Sequence, residues 1–169
     1  MMGLIIIITA CKAKEKENKT DMNIQKKHII GYIFSRDNKI EPQNIEIEKL
    51  THINYAFSNI ENGVMIEGFQ NDSVNFEILN KMKMERNPQC KILVSVGGWT
   101  WSGNFSDMAL TAESRNQFIQ SAVTFLRKHH LDGLDVDWEY PGLPGYGNTH
   151  RPEDKENFTY SLQAIYVGF

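Results

Sequence analysis

Short apolar segments alternate with helix-like segments along most of this chain, and the alternation restricts the folds open to it. Amphipathic stretches at 75–88 and 114–130 carry apolar residues at helical spacing. Strand-like segments rich in β-branched and aromatic residues flank them: HIIGYIFS (28–35), HINYAFSNI (52–60), KILVSVGG (91–98) and LDGLDVDWEY (131–140). Strands that are apolar almost throughout and alternate with helices favour a parallel sheet covered by helices.

Three further segments complete the sequence-based assignment. IENGVMI predicts a hairpin about Asn62-Gly63, because this dipeptide suits a tight turn between strands. A short piece from Ile45 to Leu50 links the first two strands, and residues 151–169 predict a fourth helix.

The apolar pattern allows either an open doubly wound sheet or a closed eight-stranded barrel. Functional side chains of a (β/α)8 barrel collect at the carboxyl ends of its strands. Polar and aromatic residues gather at that end of every strand segment here: Tyr32 and Ser35, Phe57 and Ser58, Ser95 through Trp99, and Asp135 through Tyr140. Their placement favours the barrel.

The last strand segment carries acids at alternate positions within an apolar run. Residues i, i+2 and i+4 of a strand share one face, so Asp135, Asp137 and Glu139 form an acidic column. Three stacked carboxylates in a dry interior repel one another, and at least one is expected to keep a proton near neutral pH. A retained proton is what a general acid needs. The alternatives are a metal or salt-bridge cluster and a solvated edge strand.

Two of these alternatives fit the residues less well. A solvated strand would not place Leu134, Val136 and Trp138 opposite the acids. A metal site draws ligands from elsewhere in the chain too, and no His or Asp cluster accompanies this one, so no metal is expected. The column therefore predicts a catalytic site.

The N-terminus differs in character from the rest of the chain. Residues 1–11 are an apolar run ending at Cys11, typical of an export signal, and Ile8 to Cys11 resembles the lipidation motif of bacterial lipoproteins. Residues 12–27 are polar and lysine-rich, and predict a tether. The expected location is therefore an exported lipoprotein, anchored to a membrane or the cell surface through lipid on Cys11, or extracellular.

Charge and cysteine content narrow the function classes further. The formal net charge is −3 and no basic stripe is present, which gives no basis for nucleic-acid binding. No apolar run is long enough to cross a bilayer, so membrane contact is expected only through the lipid. Apart from Cys11 the chain has one cysteine, Cys90, which is expected to be a small buried hydrophobe.

Two motifs resemble a known enzyme family. DGLDVDWE is similar to the D-x-x-D-x-D-x-E signature of the family 18 glycoside hydrolases, the chitinase family, and SVGGW is similar to its S-x-G-G motif. GYIFS and LTHINYAFSNI also look like its first two strands. The resemblance implies a (β/α)8 TIM barrel of which residues 28–169 supply the first four βα units, the N-terminal half of the catalytic domain.

The resemblance also implies a reaction and its residues. Glu139 matches the general acid, Asp137 the residue that orients the substrate's acetamido group, Asp135 the carboxylate that shares a proton with Asp137, and Ser95 the serine bonded to that inner acid. The acetamido oxygen, rather than a protein carboxylate, attacks the anomeric carbon, so configuration is retained. No cofactor is implied. Asp132 matches the signature but is expected to cap the strand.

Sugar-binding residues follow by position. Gly97 and Gly98 let the backbone turn where a side chain would crowd a sugar. Aromatic faces suit the apolar faces of N-acetylglucosamine rings, which makes candidates of Tyr32, Phe57, Trp99 and Tyr140, whereas Trp101 and Trp138 are expected to pack. The implied partner is chitin or another polysaccharide that contains N-acetylglucosamine.

This sequence supplies only four of the eight strands of the family barrel. The fifth to eighth strands of the family barrel are not in this sequence, so the expectation is a fragment of a secreted chitinase that is inactive alone. Two other functions stay open: an endo-β-N-acetylglucosaminidase acting on glycans or peptidoglycan, and a non-catalytic chitin-binding lectin.

Overall fold

The computed structural model describes residues 27–168. The expected signal segment, the lipidated Cys11 and all of the tether except residue 27 lie outside the described residues. Three 3₁₀ turns connect some of the regular elements, at Pro42–Asn44, Ile47–Lys49 and Ser102–Asn104. The strands and helices, in chain order, are β1 Ile30–Phe34, β2 His52–Glu61, β3 Val64–Ile66, α1 Asp72–Arg86, β4 Lys91–Gly97, α2 Phe105–Met108, α3 Ala112–Lys128, β5 Gly133–Asp137 and α4 Asp154–Gly168.

The main sheet is parallel, with strand order β1-β2-β4-β5. This confirms the predicted parallel α/β arrangement, in which each connection carries the chain back to the amino end of the next parallel strand. The predicted hairpin is also present: β3 pairs antiparallel with β2. Asn62 and Gly63 have φ values of 51° and 75°, the left-handed geometry that a two-residue hairpin turn requires.

The hydrophobic core lies between the sheet and its helices. The convex side of the sheet presents residues such as Ile53, Val94 and Val96, all fully buried. Phe76 of α1 and Phe118 of α3 cover them, and both rings are 1% exposed. Burying a side chain of this size contributes about 1.5–3 kcal/mol, so this layer supplies most of the hydrophobic stabilisation.

The other side of the main sheet is concave and open. Its side chains, which the strand register places on one face, come from every strand: Ile30, Tyr32 and Phe34; His52, Asn54 and Ala56; Leu93 and Ser95; Asp135 and Asp137. We call this set the concave face. In a closed barrel it would face the interior.

The link between β1 and β2 differs from a regular helix. It forms two 3₁₀ turns, and side chains from the end of α1 bind its carbonyl groups. Arg86 donates to the carbonyl oxygens of Pro42 and Ile45, and Asn87 donates to those of Ile47 and Leu50. The Pro42 and Ile47 carbonyl oxygens also accept the backbone N–H groups of Ile45 and Leu50, so the side chains of α1 add to the 3₁₀ bonds.

Two smaller observations bear on function. The Cys90 side chain is fully buried, and burial raises the pKa of its thiol, so the sulfur stays protonated and unreactive as expected of a buried hydrophobe. Among residues 27–168, no helix combines the length and the hydropathy needed to cross a membrane.

Candidate active site

The acidic column lies at the carboxyl end of β5, beside the end of β4. Asp135 pairs with Ser95 and Asp137 pairs with Gly97, so both acids point to the concave face. Trp138, between Asp137 and Glu139, points the other way and stacks on Phe105, with ring centroids 5.2 Å apart and planes 12° from parallel. Alternation along one strand therefore separates the acids from the core, as the sequence predicted.

Asp135 is held by two hydroxyl groups from other strands. Its Oδ2 accepts hydrogen bonds from the Ser95 hydroxyl at 2.6 Å and from the Tyr32 hydroxyl at 2.7 Å. Partial desolvation and the bond to Asp135 raise the pKa of Tyr32, so the phenol stays a donor. Tyr32 was predicted only as a sugar-stacking residue, and the bond to Asp135 is a contact that the sequence did not indicate.

The hydrogen bond between Tyr32 and Asp135 also indicates that the main sheet is curved. β1 and β5 are the outermost strands, with β2 and β4 between them. In a flat sheet, three strand intervals would separate them by roughly 14 Å. Their side chains nevertheless meet at 2.7 Å. The sheet is therefore curled like the wall of a barrel, which favours the barrel over an open doubly wound sheet.

Burial and the neighbouring acids change the pKa of Asp137. Desolvation raises the pKa of its carboxyl group, and the charges of Glu139 and Asp135 raise it further. Because the folded-state pKa exceeds the unfolded value, the stability that protonated Asp137 contributes is lost as pH rises through the folded pKa. Ionisation of Asp137 therefore opposes folding above that pKa, a cost typical of a site shaped for chemistry.

Glu139 lies two residues beyond the end of β5, whereas the sequence predicted a strand that continued through it. The strand ends earlier because other groups hold the Glu139 backbone. Its N–H donates to the Ser102 hydroxyl at 2.8 Å, and its carbonyl oxygen accepts from the Asn148 side chain at 3.2 Å. Asn148 also donates to the Trp99 carbonyl at 3.0 Å, which ties the two loops together.

Both glycines at the carboxyl end of β4 have backbone geometry that only glycine adopts easily. Gly97 and Gly98 have φ values of 106° and 82°. A Cβ on Gly97 would run into the Asp137 carbonyl oxygen, and one on Gly98 would lie 3.1 Å from the Phe57 ring. Close packing of β4 against β5, and of Phe57 over the turn, therefore requires both glycines.

Three aromatic side chains form an exposed surface beside Glu139. Trp99 is 49% exposed and lies 6.3 Å from the Tyr140 ring and 6.2 Å from the Tyr146 ring, measured between centroids. The neighbouring Glu139 carboxylate raises the pKa of the Tyr140 hydroxyl. Tyr146 was not predicted, although its place in the glycine-rich loop LPGYGN could have indicated an exposed aromatic residue.

The remaining predicted aromatic residues are arranged differently. Phe57 packs edge-on against Phe34 at 5.6 Å, and its ring also lies against Gly98. Trp101 packs against Phe69 at 4.9 Å. The structure thus brings Tyr32, Ser95 and the acidic column together, and it places Trp99 and Tyr140 beside Glu139, with Phe57 against Gly98.

Asp132 lies at the opposite end of β5 from Glu139. Its carboxylate accepts the Ile92 backbone N–H at 2.8 Å and forms ion pairs with Lys83 and Lys91. These contacts join β4, β5 and α1 at the amino end of the strands. Asp132 therefore acts in the structure as the strand cap that the sequence predicted.

Comparison with known proteins is consistent with this geometry. Residues 28–169 match the family described as glycosyl hydrolases family 18. The chain is 39% identical to chitinase A1 of Niallia circulans, over 72% of this chain and 24% of that protein. It is 38% identical to chitotriosidase-1 of Mus musculus, over 76% of this chain and 27% of that protein. The chain therefore spans about a quarter of the length of these relatives.

Solved structures give the same result. Chitinase ChiA74 from Bacillus thuringiensis superposes with a TM-score of 0.76 at 31% identity, over 85% of this chain and 32% of that one. Human YKL-39 is described as a pseudo-chitinase that retains chitooligosaccharide binding. It superposes with a TM-score of 0.70 at 30% identity, over 83% of this chain and 38% of that one.

Proposed function

Because the chain belongs to glycosyl hydrolase family 18, whose barrel fold it shares in part, we propose that it takes part in hydrolysis of β-1,4-linked N-acetylglucosamine polymers such as chitin. The observation that carries this proposal is the acidic column. Asp135 is anchored by two hydroxyl groups, the pKa of Asp137 is raised, and Glu139 follows at the rim beside exposed Trp99.

In the proposed first step, Glu139 donates its proton to the glycosidic oxygen as the bond from that oxygen to the anomeric carbon breaks. The acetamido carbonyl oxygen of the same sugar forms the new bond to the anomeric carbon, giving a five-membered ring. The leaving sugar departs with the proton. In the second step water attacks the anomeric carbon while the bond from that carbon to the acetamido oxygen breaks, which reopens the ring. The attacking water gives a proton to the Glu139 carboxylate, which restores the acid, and the two displacements together retain the configuration.

Asp137 and Asp135 support the attacking acetamido group. Asp137, next to Glu139 along the column, accepts the acetamido N–H and stabilises the positive charge that develops on nitrogen. The two hydroxyl donors occupy Oδ2 of Asp135, so Oδ1 is the oxygen left to share a proton with Asp137. The raised pKa of Asp137 supports this role, since a proton held between the two acids lowers their mutual repulsion.

The sugar surface proposed here consists of Trp99 and Tyr140, both exposed next to Glu139. Rings of this kind present flat apolar faces to pyranose rings. Tyr32, with its ring on the concave face and its hydroxyl on Asp135, borders the same space. At the adjoining turn, the Asp137 carbonyl oxygen and the Phe57 ring leave no room for side chains at Gly97 and Gly98. Phe57 packs against Gly98 in that turn.

Two other functions are distinguished by substrate. An endo-β-N-acetylglucosaminidase would use the same acids on glycans or peptidoglycan. A lectin is favoured by one observation, the likeness to YKL-39, which is described as a pseudo-chitinase. The presence of a carboxylic acid at Glu139 favours an enzyme over a lectin, because binding alone does not need a proton donor there.

The test uses a hybrid in which residues 28–169 are followed by the part of Niallia circulans chitinase A1 that comes after its matched segment. We expect the hybrid to cleave a hexamer of N-acetylglucosamine and to release products first in the β configuration, as seen by NMR. The fully deacetylated hexamer should stay intact, because it lacks the attacking oxygen. Binding of the acetylated hexamer without cleavage would support the lectin. Cleavage confined to glycans or peptidoglycan would support the endo-enzyme, and cleavage of the deacetylated hexamer would contradict the mechanism.

We also propose that lipid on Cys11 anchors the protein outside the cytoplasm. Residues 1–27 placed ahead of a soluble reporter in a bacterium should send the reporter to the membrane fraction with the mass of a diacylglycerol-modified cysteine. Cys11→Ser should leave it unprocessed or soluble, since the polar tether supplies little membrane affinity. A reporter without residues 1–27 is the control. Recovery of the Cys11→Ser reporter in the membrane fraction, at the level of the unchanged reporter, would contradict the proposal.

A further inference from the structure

The hydrogen-bond ladder between β4 and β5 is interrupted just before Glu139. Gly97 lies opposite Asp137, and the Gly98 N–H donates to the Asp137 carbonyl oxygen at 2.7 Å. In a regular parallel ladder the next bond would run from the Glu139 N–H to the Gly98 carbonyl oxygen. That bond would bring the nitrogen and oxygen to about 2.9 Å.

The Ser102 hydroxyl occupies this place in the ladder. It accepts the Glu139 N–H at 2.8 Å and lies 2.8 Å from the Gly98 carbonyl oxygen, to which it donates. The Asp137 carbonyl oxygen is a second acceptor within reach, at 3.2 Å. Ser102 itself is fully buried. A side-chain oxygen is thus inserted between a backbone donor and the backbone acceptor that would otherwise bind it directly.

The inserted hydroxyl separates the two strands where the acid emerges. With the hydroxyl in place, two bonds in series join the Glu139 nitrogen to the Gly98 oxygen, so β5 diverges from β4 at this residue. The Glu139 N–H and the Gly98 carbonyl oxygen therefore both have a hydrogen-bond partner. The Ser102 oxygen that joins them has no access to water, so water does not compete for these bonds. The position of the Glu139 backbone is therefore set by a residue that lies outside both signature motifs.

We infer that Ser102 is a positioning residue, whose hydroxyl fixes the Glu139 backbone so that the carboxyl group meets the glycosidic oxygen. This inference rests on the proposed function, in which Glu139 is the acid. Removing the hydroxyl leaves two outcomes. Either the strands close to form the direct bond, which displaces Glu139, or the Glu139 N–H stays unsatisfied and its backbone loosens, while the Gly98 carbonyl oxygen keeps the Trp101 N–H as a donor at 3.1 Å. Both outcomes move the acid.

Ser106 provides a matched control in the same segment. It is also fully buried, donates to Asp154 Oδ1 at 2.7 Å and accepts from Arg151 at 2.7 Å. Ser106→Ala therefore removes a buried, doubly bonded hydroxyl just as Ser102→Ala does. Its partners lie at the start of α4, and none of them belongs to the acidic column.

The experiment compares Ser102→Ala and Ser106→Ala in the hybrid, which contains all of these contacts. A displacement of about 1 Å in a catalytic group costs about 100-fold in rate. We expect Ser102→Ala to lower kcat by about 100-fold with KM within about threefold of the parent, because the sugar-binding surface is unchanged. Ser106→Ala should change kcat less than about threefold, even where it lowers Tm equally. An equal fall in kcat for both variants, or none for either, would overturn the inference.

Amide exchange of Glu139 gives a second measurement that does not depend on activity. The Glu139 amide should exchange at least about tenfold faster in Ser102→Ala than in the parent, and at the parent rate in Ser106→Ala. An inactive parent hybrid would contradict the proposed function alone. The faster, Ser102-specific exchange would still uphold the positioning of Glu139, and unchanged exchange would refute it.

Discussion

Glu139→Gln in the hybrid is expected to lower turnover of N-acetylglucosamine oligosaccharides by about 10²- to 10⁴-fold, the range that a general acid contributes. The amide keeps the shape of the side chain but has no acidic proton for the leaving oxygen. Binding of the hexamer, measured by calorimetry, should stay within about threefold of the parent, because Trp99 and Tyr140 are unchanged. The loss is therefore expected in kcat rather than in affinity.

The control for this substitution is Glu153→Gln, which makes the same chemical change on the exposed loop before α4. It should leave both turnover and binding at the level of the parent. Turnover of Glu139→Gln close to that of Glu153→Gln would remove Glu139 from the role of acid. Loss of binding together with turnover would instead assign Glu139 to substrate recognition.

Residues 28–169 expressed without the added half are expected to aggregate and to release no sugar. Ile30, Tyr32 and Phe34 of the concave face are each more than half exposed, which is unusual for apolar side chains on one strand. Among the described residues, β1 and β5 each pair with a single neighbour, so both edges can recruit further strands. Light scattering and binding of a hydrophobic dye should be high for the segment and low for the hybrid.

A neighbouring pair of substitutions tests whether the concave face is the cause. Ile30→Ser removes an apolar side chain from that face and should lower dye binding by the segment. Ile33→Ser changes the opposite face, where Ile33 packs against the core, and should leave dye binding equal or higher. A monodisperse segment that melts cooperatively and cleaves the hexamer would contradict the prediction.

Hydrophobic periodicity predicted the order of the elements because each strand here is covered by helices on its convex side. The predicted strand 91–98 and the observed β4 differ by one residue. The two central helices begin within three residues of their predicted positions, since apolar residues such as Phe76 and Phe118 recur on the buried face. Alternation likewise placed Asp135 and Asp137 on one face, as the register requires.

Periodicity could not predict contacts that depend on curvature or on irregular backbone. Tyr32 and Asp135 are 103 positions apart, and only the curl of the sheet brings them into contact. Ser102 lies in a 3₁₀ turn without a recognisable pattern, and its effect comes from a single oxygen placed between two backbone groups. Such contacts are set by tertiary geometry, and a single sequence carries no local signal for them.

Asp132 shows how one sequence signature can contain residues with two different roles. It lies at the end of β5 remote from Glu139, where it joins two lysines and a backbone amide. A mutational scan scored by enzyme activity would show every acid of the signature to be intolerant of change. Scored instead by the amount of folded protein, the same scan would show Asp132 alone as costly and Asp137 as a site where neutral substitutions increase yield. The two scores together would separate scaffold from chemistry within eight consecutive residues.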